Sequence, residues 1–564
     1  MKLADMAYER PDFDAARKML ADLVQVFRTS PSLADQKEIM FEIDSIRSRI
    51  ATMSTLCNIR HSVDTYNEFY KEEKRVFDHH LPILETVVAD YYRALVESPF
   101  RGELEQYFGQ HIFRLAELSI QTFKPEMIED MQRDNELSTQ YNALVASASL
   151  AFDGRELNLS QLGKYLNSPD RDVRKAANEV KYRFFASHEE QFDAIYDRLV
   201  RCRTNMAQKI GYETFTKLGY ARLHRTDYNA QTVEQFRAEV LTHIVPLAEK
   251  LKERQRNRIG VEQLRYYDEG FHFTTRNPAP KGDPEWILAQ GKKMYSELSP
   301  ETDEFFRFMT DNELMDLLSK RGKRVGGYCT VIPDAKAPFI FANFNGTAHD
   351  VSVLTHEAGH AFMAYVGRDV PLQEYRFPTL EAAEIHSISM EFFTWDWMNL
   401  FFREDAGKFQ FYHLSSAVTT IPYLVTVDEF QHFVYEHPNA SPAERKAAWR
   451  DIERRYIPHR NYEGNDYLER GGYWQQQLHI FGRPFYYIDY ALAQICALQF
   501  WARMQHDKTS AWSDYLRLCT LAGSQSFVDL VEAANLTSPF QPGCVEAVVR
   551  EVECWLDAVD DASL

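Results

Sequence analysis

Residues 351–367 read VSVLTHEAGHAFMAYVG and contain an HExxH, His356-Glu357-Ala358-Gly359-His360. Helical spacing sets imidazoles at i and i+4 one above the other on a single face. From there both can reach one ion, and Zn²⁺ is the ion that favours two or more imidazoles in a tetrahedral site. Glu357, three residues before His360, is placed to touch a water bound to that ion. The flanks argue against a chance match: across these 17 residues Glu357 is the only carboxylate and there is no Lys or Arg. An apolar helix carrying two histidines and one carboxylate would bury polar groups at a cost of several kcal/mol unless something satisfies them, and a metal does.

Two histidines do not complete a zinc site, so a third protein ligand is required. Downstream, Pro378-Thr379 opens a helix that reads LEAAEIHSISMEFFTWDWM. On it Glu384, Ser387, Ile388 and Glu391 share one face. Glu384 is the expected third ligand; Glu381 lies one turn earlier and His386 points off that face. Glu391, set among Met390, Phe392, Phe393 and Trp395, is expected to accept the free N–H of a ligating imidazole.

β signals are confined to two places. Residues 266–274 contain a short alternation through Phe271 and Phe273. Residues 326–332 and 338–344 read as strand, turn and strand leading through Asn345-Gly346-Thr347 into the HExxH helix. A small sheet therefore ends just before the metal, and an edge strand there would hold an extended peptide by main-chain hydrogen bonds. Phe341, Ala342 and Asn343 are the expected substrate-binding residues on it.

A further constellation, GGYWQQQLHIFGRPFYYIDYALAQ at 471–494, combines His479 with Tyr486, Tyr487 and Tyr490. Phenol and imidazole donors are what a hydrolase needs opposite its metal to hold the oxyanion of a tetrahedral intermediate. Gly471, Gly472 and Gly482 mark the segment as pliable.

Elsewhere the pattern is helical. Phe13, Ala16, Leu20, Leu23, Val24 and Phe27 follow an i, i+3/i+4 rhythm, and longer periodic stretches cover 34–58 and 65–96. Ser168-Pro169, Asp283-Pro284, Ser299-Pro300 and Ser441-Pro442 each read as a capping residue followed by proline at the first helical position. Asn167-Ser168-Pro169 is the expected boundary between an N-terminal helical lobe, 1–165, and a catalytic domain, 166–564. A formal charge of −19 argues against nucleic acid or an anionic membrane as partner. Seven scattered cysteines without CxxC spacing indicate neither a thiolate zinc site nor a disulfide framework. With no apolar leader at 1–14 and no run of 18 apolar residues, the expected location is cytoplasmic. No motif defines an oligomeric state.

HEAGH, then AEIHSISME beginning 27 residues after its first histidine, then HIFG and FYYIDY between 479 and 490, resemble the oligoendopeptidase F branch of the thimet-oligopeptidase-like zinc metallopeptidases, nearest the bacterial Pz-peptidases. The resemblance spans the chain and is most specific from 326 to 494. It implies a mainly α, two-lobed metallopeptidase with a deep central channel and a small antiparallel sheet beside the zinc site. It implies one zinc per chain on His356, His360 and Glu384, with Glu357 as general base. It also implies that His479, Tyr486 and Tyr490 bind and polarise the substrate; the register among Phe485, Tyr486 and Tyr487 stays open by one residue.

The function these readings point to is hydrolysis of internal bonds in short peptides, with zinc-bound water activated by Glu357 and Tyr487 among the substrate contacts. A peptidyl-dipeptidase or carboxypeptidase on the same scaffold would use Arg483 to hold a C-terminal carboxylate. A non-catalytic, zinc-containing peptide-binding protein is disfavoured by the intact Glu357.

Overall fold

The computed structural model describes residues 2–564 and is dominated by helices. The first three long ones, Phe13–Thr29, Leu33–Val63 and Glu68–Val96, begin at Asp12, Ser32 and Asn67, whose side chains accept backbone N–H groups of the first turn. The first buries Phe13, Leu20, Val24 and Phe27, the stripe read from its periodicity. Downstream, Asp283, Ser299 and Ser441 cap their helices with proline following, and Ser441 and Glu444 close a capping box. Ser168-Pro169 does not. There the helix Arg171–Ser187 starts later, because Asp170 accepts from Asp172 N and Val173 N.

Two small sheets interrupt the helices. β1 (Leu150–Phe152) and β2 (Arg155–Leu157) form a hairpin inside the stretch expected to be wholly helical. Its turn is Asp153-Gly154, both at positive φ (52° and 67°), the conformation that an Asp-Gly hairpin turn favours. The second sheet joins β3 (Met315–Leu318), β4 (Tyr328–Ile332) and β5 (Ala337–Phe344) in the order β3-β5-β4. β4 runs antiparallel to β5 and β3 runs parallel to it, so the sheet is mixed rather than purely antiparallel. The strand expected at 266–274 is absent. Phe271 and Phe273 are buried, but no neighbouring strand faces them. The Gln255 side-chain amide instead binds the carbonyls of Asp268, Glu269 and Phe271, satisfying the backbone without a ladder.

The sheet delivers the chain into the motif helix, Ala348–Val366. Asp350 secures the junction, its carboxylate accepting from Asn345 N and Gly346 N at 2.7–3.1 Å. The ligand helix, Leu380–Phe393, packs directly against the motif helix. Gly359 lets them approach: a Cβ there would sit 2.6 Å from the His386 carbonyl oxygen and 2.7 Å from Ser387 Cα. The linker between these helices is pinned to the N-terminal helices. Tyr375 donates to Phe108 O and accepts from Ile112 N, while Arg376 binds Asp44 and Ser48. No described helix is long and apolar enough to cross a membrane.

Candidate active site

His356 and His360 project from the motif helix towards Glu384 on the ligand helix. His356 Nε2 lies 3.3 Å and His360 Nε2 3.4 Å from Glu384 Oε2. Among the described residues this trio is the one group of His, Cys, Asp or Glu whose ligand atoms, all within 4.8 Å of one another, could hold a metal. Three acceptors converging at this range repel one another unless a proton or cation sits between them. Two imidazoles and a carboxylate are the donor set that suits Zn²⁺.

The surroundings orient these donors. His356 Nδ1 meets Glu391 Oε1 at 2.8 Å, and the other carboxylate oxygen takes a 2.8 Å bond from His413 Nε2. Trp395 donates its indole N–H to His413 Nδ1 at 2.9 Å, so His413 carries its proton on Nε2. Burial opposes the Glu391 charge, but the two imidazole hydrogen bonds outweigh it and hold the carboxyl at about 2. Glu391 thus contacts His356, one of the two expected imidazole ligands. His413, on the helix Ala406–Glu436, was not anticipated. Twenty-two residues separate it from Glu391, and no local spacing signals the contact.

Glu384 is held by Ser387 Oγ, 2.8 Å from Oε2, and by the Tyr486 hydroxyl, 2.5 Å from Oε1. Of residues 485–487, Tyr486 is the one whose side chain reaches Glu384. Phe485 is fully buried at φ +65°, with its N–H on Gln431 and its carbonyl on Arg225. Tyr490 packs on Tyr486 with ring centroids 5.0 Å apart, and Glu384 and Glu357 both add to the rise that burial gives its pKa. Tyr487 packs instead on His479, 4.8 Å centroid to centroid. Glu357 is 7% exposed and forms no hydrogen bond to any described residue. Burial raises its carboxyl above the usual value, opposed by His356 and His360 and reinforced by Glu384 and Glu391.

His386 and Glu381 stay out of this group. His386 is buried with Nδ1 on its own helix's Ala382 carbonyl, and Glu381 accepts from Tyr228.

The substrate-strand expectation needs correction. β5 is central in its sheet, and Phe341 and Ala342 are completely buried, so neither their main chain nor their side chains meet a peptide. The edges are β3 and β4, and β4 is preceded by the exposed Gly326 and Gly327. Gly327 runs so close to the site that a Cβ on it would lie 3.3 Å from Glu357 Oε1. Asn343 binds the Arg324 and Gly326 carbonyls, bracing that approach. A cavity of about 320 Å³ opens here, lined by Gly326, Gly327, Asn343 and His349 and also by Asn158 and Gln161. A second cavity, about 1340 Å³, lies between residues 230–237 and 429–455 and contains none of the expected site residues.

The segment 471–482 is also less pliable than its glycines suggest. At Gly471 (φ +93°) a Cβ would come 2.0 Å from the Lys446 carbonyl oxygen, so glycine answers a close backbone contact there. Tyr141 stacks on Phe481 at 3.9 Å and donates to Gln475 O, and the buried Arg203 binds the Phe481 carbonyl.

An HExxH helix crossed by a second helix that supplies a carboxylate, inside a mainly helical molecule, defines a metallohydrolase. The profile of the peptidase M3 N-terminal domain matches residues 3–123 and that of peptidase family M3 matches residues 295–549. Group B oligopeptidase PepB of Streptococcus agalactiae is 22% identical over 450 residues, 72% of this chain and 70% of that protein. Similarity to solved structures is greater. Pz peptidase A, solved with an inhibitor, shares 57% identity at a TM-score of 0.98, with both chains fully covered. A structure assigned as an oligoendopeptidase F from Bacillus anthracis shares 52% at 0.94, covering 100% of this chain and 99% of that one. This chain belongs to peptidase family M3, and it is a peptidase.

Proposed function

We propose that this peptidase is a zinc-dependent oligoendopeptidase of the cytoplasm that cuts internal bonds of short peptides. The observation that carries the reading is the convergence of His356, His360 and Glu384 beside an unbonded Glu357. The first three would hold the ion, with Glu391 and His413 fixing the His356 tautomer. Bound there, Zn²⁺ supplies a Lewis acid that polarises a carbonyl and lowers the pKa of water to about 7. Glu357 takes the proton of the attacking water and returns it to the leaving amine. His479 and Tyr486 donate to the oxyanion, with Tyr490 beside them. The free edge of β4 and its lead-in at Gly326-Gly327 support the peptide main chain, and Tyr487, packed on His479, is a further substrate contact.

Residues 1–165 form the N-terminal lobe in this reading, and it restricts access to the cleft. Asn158 and Gln161 line the same cavity as Gly326 and Gly327, which supports that role. The cytoplasmic assignment rests on seven free thiols, the pattern of a reducing compartment.

Mass spectrometry of a mixed peptide library, digested with and without a chelator, tests the proposal. Internal cuts in peptides of roughly 5–15 residues are expected, casein is spared, and chelation stops cleavage until Zn²⁺ is restored. Full activity in protein shown by elemental analysis to be metal-free refutes the zinc assignment. Arg483 is exposed and has no ion pair among the described residues, so it is the cation that an exopeptidase would use. Cleavage of a peptide blocked at both ends decides against that use.

The outer contacts carry their own prediction. His413→Ala unpins Glu391 and is expected to weaken zinc affinity by about 10–100-fold with the fold intact, measured by competition with a chromogenic chelator. Unchanged affinity removes His413 from the support of the site.

A further inference from the structure

His479 lies beside Tyr486, ring centroids 5.6 Å apart, but an imidazole donates only from the nitrogen that carries the proton. Its Nδ1 lies 2.8 Å from the side-chain nitrogen of Gln477, and Gln477 Oε1 lies 2.8 Å from the Tyr423 hydroxyl. Gln477 is well placed for this task. It stands between the 3₁₀ turn Gly472–Gln476 and the short helix Leu478–Gly482, with its backbone N–H on Trp474 O.

The direction of the chain follows from Tyr423, whose phenol proton has one acceptor among the described residues, the Gln477 amide oxygen. With the oxygen so engaged, the amide N–H₂ faces His479, and Nδ1 must accept. Reversing the amide would leave the Tyr423 proton without an acceptor inside the protein, at a cost of about 1–3 kcal/mol. We infer that Gln477, oriented by Tyr423, is a positioning residue that confines the His479 proton to Nε2 and so keeps that nitrogen a donor towards the reacting carbonyl. This rests on the donor role proposed for His479.

The groups facing the ring suit a neutral donor. Tyr486, Tyr487 and Tyr490 surround it at 4.8–6.0 Å between centroids, Arg483 is the nearby cation and Glu384 the nearby anion. Burial and then Arg483 lower the His479 pKa to about 4, with Glu384 opposing, so the ring is uncharged at neutral pH.

Gln477→Glu tests the inference, assayed as zinc-loaded enzyme on a doubly blocked peptide. A carboxylate only accepts, so it draws the proton to Nδ1 and leaves Nε2 bare whenever the ring is neutral. Donation then survives only in the imidazolium. The expected kcat falls by about 10²–10³-fold at high pH, with KM little changed, and recovers as the pH is lowered through the raised pKa of the ring. Gln477→Leu, which leaves both tautomers open, is expected to lose about 10-fold or less, without the new pH limb. A Gln477→Glu profile that parallels the wild type overturns the inference. In ¹⁵N-histidine-labelled protein, with the signal assigned through His479→Ala, Nδ1 is expected unprotonated in the wild type and protonated in Gln477→Glu. A protonated wild-type Nδ1 overturns it too. Full kcat in His479→Ala would instead remove His479 itself from the reaction, a separate failure.

Discussion

Glu357→Gln is expected to lower kcat by about 10²–10⁴-fold while fold and zinc content stay at wild-type levels. The substitution keeps the side chain's shape and breaks no hydrogen bond to a described residue, because Glu357 makes none. It removes only the capacity to accept a proton. Glu384→Ala should behave in the opposite way. Glu384 is the carboxylate on which Ser387, Tyr486 and both imidazoles converge, and deleting it strips a ligand. Zinc occupancy should drop and activity with it. Elemental analysis, thermal melting and steady-state kinetics on blocked peptides, run on both variants, distinguish the roles. If Glu357→Gln lost the metal and Glu384→Ala kept it, the assignments of base and ligand would be exchanged.

Tyr486→Phe is the second large effect expected. It removes one hydroxyl and almost no volume, so stability should change little. If the phenol donates to the oxyanion, its bond is stronger in the transition state than in bound substrate. Then kcat and kcat/KM should fall together by about 10²–10³-fold with KM little changed. That hydroxyl rests on Glu384 Oε1 at 2.5 Å, so a second outcome has to be measured. If its task were only to orient Glu384, zinc affinity would fall and kcat at saturating zinc would be near normal. Unchanged kcat and unchanged zinc affinity would pass the donor role to Tyr490, the tyrosine influenced by both Glu384 and Glu357.

Much of the site was legible because its logic is local. His356 and His360 are one helical turn apart, and Glu384, Ser387 and Glu391 repeat on one helical face, so period alone brings them into line. Capping followed the same rule at Asp283, Ser299 and Ser441. It failed at Ser168, where Asp170 competed two residues on and won by accepting two N–H groups. The alternation at 271–273 did report burial, but a strand needs a partner, and that partner is not encoded in the strand. β5 illustrates the same limit. Its hydrophobic run fits a central strand as well as an edge, and β3, 19 residues before it, makes the difference by pairing on its far side.

By itself the sequence determined the donor types, their helical register and the helical character of most of the chain, all set by neighbours within a few residues. Tertiary structure alone decided which long-range groups hold those donors: His413 on Glu391, Tyr486 on Glu384, and Tyr423 on the Gln477 beside His479. It also decided that β5 lies at the centre of its sheet, with β3 and β4 at the edges, and that the helices bearing His360 and Glu384 meet at Gly359. The physical reason is range. Helical period and capping act over one to four residues, whereas hydrogen bonds that fix a tautomer or a carboxylate join whatever the packed core places 3 Å apart, however far along the chain.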